Sequence, residues 1–272
     1  MLKNIIYLSH AEKGPSGGAK VIYHHSEIIN KIKNFSSQVL HIEKKKISKW
    51  KISLDKKFQL NKNKETGWQT NQIKAVKGFN YKWFDHEIKT KNNLFFDKDK
   101  DFVILPEIFA HFAPDLFIQQ KIKYAIFVQN GYSIDSTNNK EKLKKAYMNA
   151  SFILSYSDNI TSCIKLKFSN IKTKIIKMSY AIEINNSKTQ KKKNLITYMS
   201  RKLPTHSSLV LNFLSNYLPK KWSIKDLNNL SEKKTYEYLR KSKIFLAFSN
   251  HEGLPLPPVE AALAKNYVIG YT

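Results

Sequence analysis

The sequence predicts an α/β protein with two doubly wound domains, residues 1–188 and 189–272. Three observations lead to this fold class. Apolar runs of strand length alternate with segments of helical spacing through most of the chain, and the first helical segment follows a glycine-containing turn. The polar stretch at residues 185–193, which contains no apolar residue, separates two such alternations and is typical of an interdomain linker.

The first domain opens with a strand, a glycine turn, a helix and a second strand. An apolar run at residues 5–9 predicts the strand, and the turn occupies residues 14–18. Apolar residues recur at helical spacing over residues 19–33, and residues 39–42 predict the next strand. This order is typical of a doubly wound domain. Further strands are predicted at residues 102–107, 124–128, 152–156 and 174–178, with helices at residues 141–149 and after the N-cap Ser157.

Residues 43–100 carry a weaker pattern. They are rich in lysine, and they contain Trp50, Trp68 and Trp83, whose side chains folded proteins normally bury. Two interpretations stay open. The segment forms an irregular region that covers one edge of the sheet, or it forms an acceptor-binding surface.

The second domain repeats the alternation of strands and helices. One helical segment, residues 206–217, is expected to pack through an apolar face that contains Leu209, Val210, Phe213, Leu214 and Tyr217. The other predicted elements are strands at residues 195–199, 222–227, 244–248 and 267–271 and helices at residues 232–241 and 258–264.

The composition favours a soluble protein of a reducing compartment. No apolar run approaches the roughly 20 residues of a membrane span, and the single cysteine, Cys163, excludes an internal disulfide. The net charge is +26, yet the excess is almost all lysine, since arginine occurs only at Arg201 and Arg240. Nucleic-acid readers depend on arginine, so solvated lysines or attraction to an anionic membrane are favoured over a nucleic-acid partner.

The loop at residues 251–261 carries the strongest functional signal. It follows a buried strand and leads into a helix, and ligands bind at that end of the strands in open α/β sheets. Gly253 lets the backbone approach a phosphate, and amides at a helix start can donate to an anion. Glu252 and Glu260, at opposite ends of the loop, can accept hydrogen bonds from sugar hydroxyls. A proline-rich turn without a ligand is the alternative.

This segment resembles the signature of retaining GT-B glycosyltransferases of the family-4-like group, including its two glutamates with seven residues between them. The resemblance implies two facing Rossmann-like domains, of which the second is incomplete. It implies that Glu252 contacts the donor sugar and that Glu260 holds the nucleotide ribose. The amides of Gly253 and Leu254 are expected to approach the diphosphate.

A pair of cations follows the first strand of the second domain. In the family that the chain resembles, an arginine and a lysine at this strand end stabilise the leaving nucleoside diphosphate without a divalent metal. Arg201 matches the arginine. The usual lysine position holds His206, so Lys202 is the candidate in its place. A solvated basic turn is the alternative.

The first domain supplies the remaining candidates. The resemblance places Gly17 and Gly18 close to the donor diphosphate, although a plain tight turn also explains them. Glu107 and the pair Gln129 and Asn130 end strands and are candidates for the acceptor side. Many relatives have a histidine near this pair, whereas an amide binds hydroxyls but cannot act as a base. A strand-end charge at Glu107 and a turn-forming Asn130 are the alternatives.

The composition predicts a cytoplasmic protein in peripheral contact with the inner face of the membrane. The resemblance implies an enzyme that transfers a sugar from a nucleotide diphosphate sugar with retention. The acceptor is a hydroxyl of a polysaccharide, a lipopolysaccharide or a lipid-linked glycan. No cofactor and no metal are expected, because the histidines show no ligand spacing. Relatives continue past the strand at residues 267–271, so an inactive sugar-nucleotide-binding fragment is one alternative. A lysine-rich protein that binds nucleic acid or membranes is another.

Overall fold

The computed structural model describes residues 3–12, 14–44, 73–84, 86–137, 139–180, 182, 190–249 and 252–270. The chain divides into two compact units. The first comprises Met1–Asn80 and His86–Met178, and the second comprises Tyr81–Asp85 and Ser179–Thr272. The domain boundary expected at residue 188 lies outside the described residues, as do Trp50, Trp68, His251 and most of the expected linker.

A mostly parallel sheet forms the centre of the first unit. Its strands follow the order β3-β2-β1-β5-β6-β7-β8, with β4 also paired to β2. Among the strands of the described ranges, only β3 runs antiparallel to its neighbour. The strand order reverses between β1 and β5, which is where doubly wound sheets bind ligands. The strands are β1 (Lys3–His10), β2 (Phe35–Lys44), β3 (Ile73–Ala75), β4 (Thr90–Lys91), β5 (Asp101–Pro106), β6 (Lys123–Val128), β7 (Ile153–Ser155) and β8 (Ile175–Lys177).

Helices of the first unit begin at side-chain caps that the sequence supplies. The Oγ of Ser16 accepts a hydrogen bond from the amide of Ala19 at 3.3 Å. The prediction that Ser157 caps a helix is confirmed, since its Oγ accepts from the amide of Ile160 at 3.2 Å. The helices are α1 (Gly17–Asn30), α2 (Lys140–Asn149) and α3 (Asp158–Lys167), and a 3₁₀ helix (Glu107–Phe112) and a π-helical turn (Pro114–Ile118) that the sequence did not predict follow β5.

The described part of residues 43–100 extends the first sheet and also contributes to the second unit. Strands β3 and β4 both pair with β2 and so cover that edge of the sheet, as one of the two interpretations predicts. In the second unit, the carbonyl of Trp83 accepts a hydrogen bond from the amide of Glu232 at 2.8 Å. Tyr81 and Phe84 are buried, so this aromatic cluster contributes to packing.

The second unit contains a parallel sheet with the strand order β10-β9-β11-β12. The order reverses between β9 and β11, so the carboxyl ends of these two strands define the expected ligand side. The strands are β9 (Leu195–Tyr198), β10 (Ser223–Asp226), β11 (Ile244–Ala247) and β12 (Tyr267–Gly270), and the helices are α4 (Pro204–Ser215), α5 (Glu232–Lys241) and α6 (Leu256–Leu263).

Helix α4 corrects one expectation. Val210 and Leu214 pack against the core cluster around Ile196, Leu246 and Phe248. In contrast, the side chains of Leu209, Phe213 and Tyr217 are 65%, 69% and 71% exposed. The prediction that all five apolar residues share one packed face is therefore wrong. Successive residues of a helix differ in direction by about 100°, so residues 209, 213 and 217 form a second stripe beside the packed one.

Candidate functional site

The turn after β9 is held by polar residues at the end of β10 and just after it. The hydroxyl of Ser200 donates to Asp226 Oδ2 at 2.9 Å and accepts from Asn228 Nδ2 at 2.6 Å. The backbone closes the turn through a hydrogen bond from the amide of Leu203 to the carbonyl of Ser200 at 3.1 Å. These contacts fix the backbone on both sides of Arg201 and Lys202.

The structure joins the two strongest sequence elements of the second unit through an ion pair. Lys202 Nζ contacts Glu252 Oε1, so the turn after β9 meets the loop after β11. The Lys202 side chain is 39% exposed and that of Glu252 is 17% exposed, so both charges remain accessible to a ligand. Arg201 lies beside this pair in the chain and is exposed. His206, at the usual lysine position, is exposed on α4.

The start of α6 limits which amides can bind an anion. Proline lacks an N–H, so Pro255, Pro257 and Pro258 cannot donate. Among the remaining amides, that of Leu256 donates to the carbonyl of Leu254 at 3.0 Å. The amides of Gly253 and Leu254, the two residues that the resemblance assigns to the diphosphate, lie just before this helix start.

The structure places Glu260 inside the second unit rather than on an open surface. It lies on α6 and is 6% exposed. Its Oε1 accepts a hydrogen bond from the hydroxyl of Tyr236 on α5 at 2.9 Å. The same hydroxyl also contacts Glu232 Oε1 at 3.3 Å. Any ribose contact made by Glu260 would share this carboxylate with Tyr236, a partner that the sequence did not predict.

In the first unit, Gln129 contacts the glycine turn. Gly17 begins α1, and the carbonyl of Gly18 accepts a hydrogen bond from Gln129 Nε2 at 3.1 Å. A Cβ atom at Gly18 would overlap Gln129 Oε1. Because Oε1 is the end of a flexible side chain, a Cβ at position 18 would displace Gln129 rather than the backbone.

Glu107 supports the loop after β6 from within the core. Its Oε2 accepts from the amide of Gln129 at 2.9 Å, and its Oε1 accepts from the amide of Asn130 at 3.1 Å. Burial raises the pKa of Glu107 to about 7, although these amide donors lower it. The carboxylate is 4% exposed and binds the backbone of the protein itself. Asn130 caps a short turn, since its Oδ1 accepts from the amide of Tyr132 at 3.0 Å.

Sequence reasoning missed a partly buried histidine of the first unit. His25 on α1 lies 3.2 Å from the hydroxyl of Tyr156 through its Nε2, and its ring stacks on Phe127 at a centroid distance of 5.6 Å. Burial, followed by the charge of His24, lowers the pKa of His25 to about 4. His25 is therefore neutral at pH 7. In the sequence, His25 is one of the residues at helical spacing in α1, and this spacing indicates only that the side chain packs.

Sequence reasoning also overlooked the alternating aspartates at residues 97, 99 and 101, a spacing often seen in metal sites. In the structure, Asp101 accepts hydrogen bonds from Asn4 Nδ2 at 2.8 Å and from the amide of Asp97 at 3.0 Å. The amide of Asp99 donates to Asp97 at 2.9 Å. The run lies at the start of β5, at the opposite end of that strand from Glu107. Within the described ranges, no cluster of three or more histidine, cysteine, aspartate or glutamate side chains suits a metal ion.

Structural comparison defines the fold class. No protein-family model and no curated protein matches the sequence. S. aureus TarM in complex with UDP and α-GlcNAc-glycerol matches with a TM-score of 0.60 at 12% identity, over 99% of this chain and 86% of that chain. The pneumococcal O-GlcNAc transferase GtfA, solved with UDP and GlcNAc, matches with a TM-score of 0.52 at 12% identity, over 99% and 84% of the two chains.

A third solved structure, the lipopolysaccharide outer core galactosyltransferase WaaB, matches with a TM-score of 0.54 at 12% identity, over 98% of this chain and 80% of that chain. These neighbours are GT-B glycosyltransferases. The present chain therefore has the GT-B fold, as the sequence predicted. At this level of identity the likeness establishes the fold, and the chemistry must be argued from the residues. In the described part of the chain, no helix has the length and apolar character needed to cross a bilayer.

Proposed function

We propose that this protein is a glycosyltransferase that moves a sugar from a nucleotide diphosphate sugar to a hydroxyl of a glycan acceptor. One observation carries the proposal: Lys202 and Glu252 meet where the strand order of the second sheet reverses. A cation and a carboxylate at this position suit the two parts of a sugar nucleotide, its diphosphate and its sugar hydroxyls. The GT-B fold, shared with neighbours whose structures contain UDP, supports the same assignment.

The donor site is proposed to divide its roles among the loops of the second unit. Arg201 and Lys202 bind the diphosphate through charge, and the amides of Gly253 and Leu254 add hydrogen bonds. Glu252 accepts hydrogen bonds from hydroxyls of the donor sugar. Glu260 binds the ribose in this proposal, as the resemblance implies, while it keeps its contact with Tyr236 on its other lone pairs.

The reaction proposed is transfer with retention, as in the family-4-like group. The bond between the anomeric carbon and the diphosphate oxygen breaks, and the acceptor oxygen forms the new bond on the same face. The acceptor proton passes to an oxygen of the leaving diphosphate, so no protein base is required. Arg201 and Lys202 stabilise the negative charge that develops on the leaving group. These two cations would allow the step to proceed without a divalent metal.

Calorimetry with UDP and a panel of UDP-sugars and ADP-sugars tests the donor assignment. We expect one donor to bind, and we expect Arg201→Ala to weaken its binding at least tenfold because a charged contact to the diphosphate is lost. Lys221→Ala is the matched control, because Lys221 is an exposed lysine in the same unit and lies outside the proposed site. Absence of binding by every donor would remove the assignment. Binding without turnover would favour the inactive sugar-nucleotide-binding alternative.

We also propose peripheral contact with an anionic membrane surface, such as the inner face of the cytoplasmic membrane. Residues 200–225 contain five lysine and arginine residues and no acidic residue. Within this segment, Leu209 and Phe213 of α4 and Tyr217, which follows the helix, are exposed. An exposed apolar stripe in basic surroundings suits the interface of an anionic bilayer. The acceptor in this reading is a lipid-linked glycan or a lipopolysaccharide.

Sedimentation with vesicles tests the membrane contact. We expect binding to phosphatidylglycerol vesicles and little binding to phosphatidylcholine vesicles, and we expect Phe213→Ser to reduce it. Ser208→Ala is the control, because Ser208 is an exposed residue of the same helix. Val210 is unsuitable because it packs against the core. Equal binding to both vesicle types would contradict the proposal. Salt-dependent binding to duplex DNA without vesicle binding would favour the nucleic-acid alternative.

A further inference from the structure

Two side chains of the first unit link the first turn of α1 to the segments that follow β5 and β6. The sheet places β5 between β1 and β6, so the end of β5 separates the glycine turn after β1 from the loop after β6. Gln129 spans this separation, because its Nε2 donates to the carbonyl of Gly18 at 3.1 Å. Glu107, which follows β5 directly, binds the amides of Gln129 and Asn130. The three elements are therefore connected in series.

The buried carboxylate is the unusual member of this series. Glu107 is 4% exposed, and burial of a carboxylate is unfavourable unless hydrogen bonds compensate for the lost water. The compensation here comes from the amides of Gln129 and Asn130, which are consecutive in one loop. A carboxylate can accept at both oxygens, whereas a glutamine side chain accepts at only one. Two parallel amide donors therefore require an acid at this position.

The contact at Gly18 shows what the fixed loop does. With its backbone held by Glu107, Gln129 directs its side chain over α1, where its Oε1 occupies the space that a Cβ at position 18 would take. Its Nε2 holds the carbonyl of Gly18 at the first turn of the helix. Gly18, in the first turn of α1, is therefore held by a residue of the loop after β6.

We propose that Glu107 and Gln129 are positioning residues that hold the glycine turn of Gly17 and Gly18 in place for the reacting ligand. This inference rests on the proposed function, and it differs from the expectation that Glu107 and Gln129 bind acceptor hydroxyls. Glu107 acts through Gln129, and Gln129 acts through Gly18. The turn that they hold follows β1, beside the reversal of strand order between β1 and β5, and doubly wound sheets bind ligands at such a reversal.

A double-mutant cycle tests the series. Glu107→Gln keeps the volume of the side chain but presents an NH₂ group to one of the two amides, and Gln129→Ala removes the link to Gly18. We expect each variant to lower kcat about tenfold and the double variant to lower it no further. Two residues that act through the same chain of contacts have effects on kcat that do not add.

Amide hydrogen exchange measured by NMR tests the same contacts without any ligand. Glu107→Gln should speed exchange at the amides of Gln129 and Asn130 at least tenfold, whereas Gln129→Ala should leave the amide of residue 130 protected. Ser157→Ala is the matched control: it removes a helix cap in the same unit and so lowers stability without touching the loop. It should change neither kcat nor exchange at residues 129 and 130.

The outcomes separate this inference from the proposed function. If no UDP-sugar binds, the donor proposal fails, and the exchange experiment still decides whether Glu107 holds the loop. Unchanged exchange in Glu107→Gln overturns the inference whatever the turnover. A wild-type kcat in Gln129→Ala, or strictly additive losses in the double variant, also overturns it. If Glu107→Gln does not fold, Gln129→Ala still tests the link to Gly18, because Gln129 is only partly buried.

Discussion

Lys202 and Glu252 form an ion pair that joins the ends of β9 and β11 in the second unit. In the proposed donor site, Lys202 binds the diphosphate and Glu252 binds the sugar, so the ion pair must loosen when a donor enters. The two residues therefore have opposite effects on the affinity for a diphosphate.

Glu252→Gln should strengthen the binding of UDP while lowering turnover. The substitution removes a negative charge beside the diphosphate and releases Lys202, a gain on the order of 1 kcal/mol for partly exposed charges. The dissociation constant for UDP should fall about fivefold in calorimetry, and kcat with the active UDP-sugar should fall at least tenfold. Lys202→Gln should weaken UDP binding instead. A weaker affinity for UDP in Glu252→Gln would contradict the proposed division of roles.

Asp226→Ala should disturb the turn that carries Arg201 and Lys202. The carboxylate accepts hydrogen bonds from Ser200 and from the amide of Asn228, so its removal leaves these donors unpaired. We expect a loss of about 1 kcal/mol in unfolding free energy, and a rise of about fivefold in the dissociation constant for UDP. Ser223→Ala, an exposed change on the same strand, is the control. Unchanged UDP affinity would show that the turn does not position the cations.

Glu107→Gln should change how stability depends on pH. The pKa of Glu107 is raised to about 7 in the folded protein from its ordinary value of 4.5, so the folded form binds more protons between these values. Its contribution to stability is complete below pH 4.5 and is lost as the pH rises through 7. The resulting loss of unfolding free energy is at most about 3 kcal/mol. Unfolding by urea between pH 4.5 and 8 measures it.

Two histidines, the buried His41 and the partly buried His25, affect stability in the opposite direction over the same pH range. Burial lowers the pKa of His25 and of His41 to about 4 from 6.5. The contribution of these histidines to the free energy of unfolding is complete above pH 6.5 and is lost as the pH falls towards 4. The difference between wild type and Glu107→Gln cancels the histidines and isolates Glu107. Wild type should lose stability relative to the variant as the pH rises from 4.5 to 8, and parallel curves would show that Glu107 does not titrate in this range.

The sequence predicted the strands and helices closely because periodicity and capping are local signals. The helix at residues 232–241 coincides with Glu232–Lys241 of the structure, and Ser157 caps α3 as expected. It also selected Glu252 and Lys202 as candidates, since both follow strands at the expected ligand side of a sheet, and their roles stay predictions. Their ion pair could not be predicted, because it depends on the placement of two turns far apart in sequence.

The contacts that the sequence missed join residues across strands. Nothing near Glu107 in the chain indicates that its carboxylate binds the backbone of Gln129 and Asn130, because the pairing arises from the neighbouring positions of β5 and β6. The exposed stripe of Leu209, Phe213 and Tyr217 was missed for a different reason. Helical spacing shows which residues share a face, but it does not show which of two adjacent apolar stripes meets the sheet.

Lys192 provides a test of the second unit that is independent of any ligand. Its ammonium group donates to three carbonyl oxygens, those of Leu239 at 3.1 Å, Ser242 at 2.6 Å and Ala264 at 2.6 Å. These carbonyls lie at the carboxyl ends of α5 and α6, where helix dipoles favour a cation. One side chain thus satisfies acceptors on two helices at once.

Lys192→Met keeps most of the aliphatic stem but leaves the three carbonyls without their charged donor, so we expect a loss of about 2 kcal/mol in unfolding free energy. Lys191→Met is the control, because Lys191 is the exposed neighbour in the chain and its replacement should cost less than about 0.5 kcal/mol. Urea unfolding followed by tryptophan fluorescence measures both, since Trp222 packs in the core of this unit. Equal midpoints for the two variants would show that water replaces the ammonium group without cost, and that the ends of α5 and α6 need no cation.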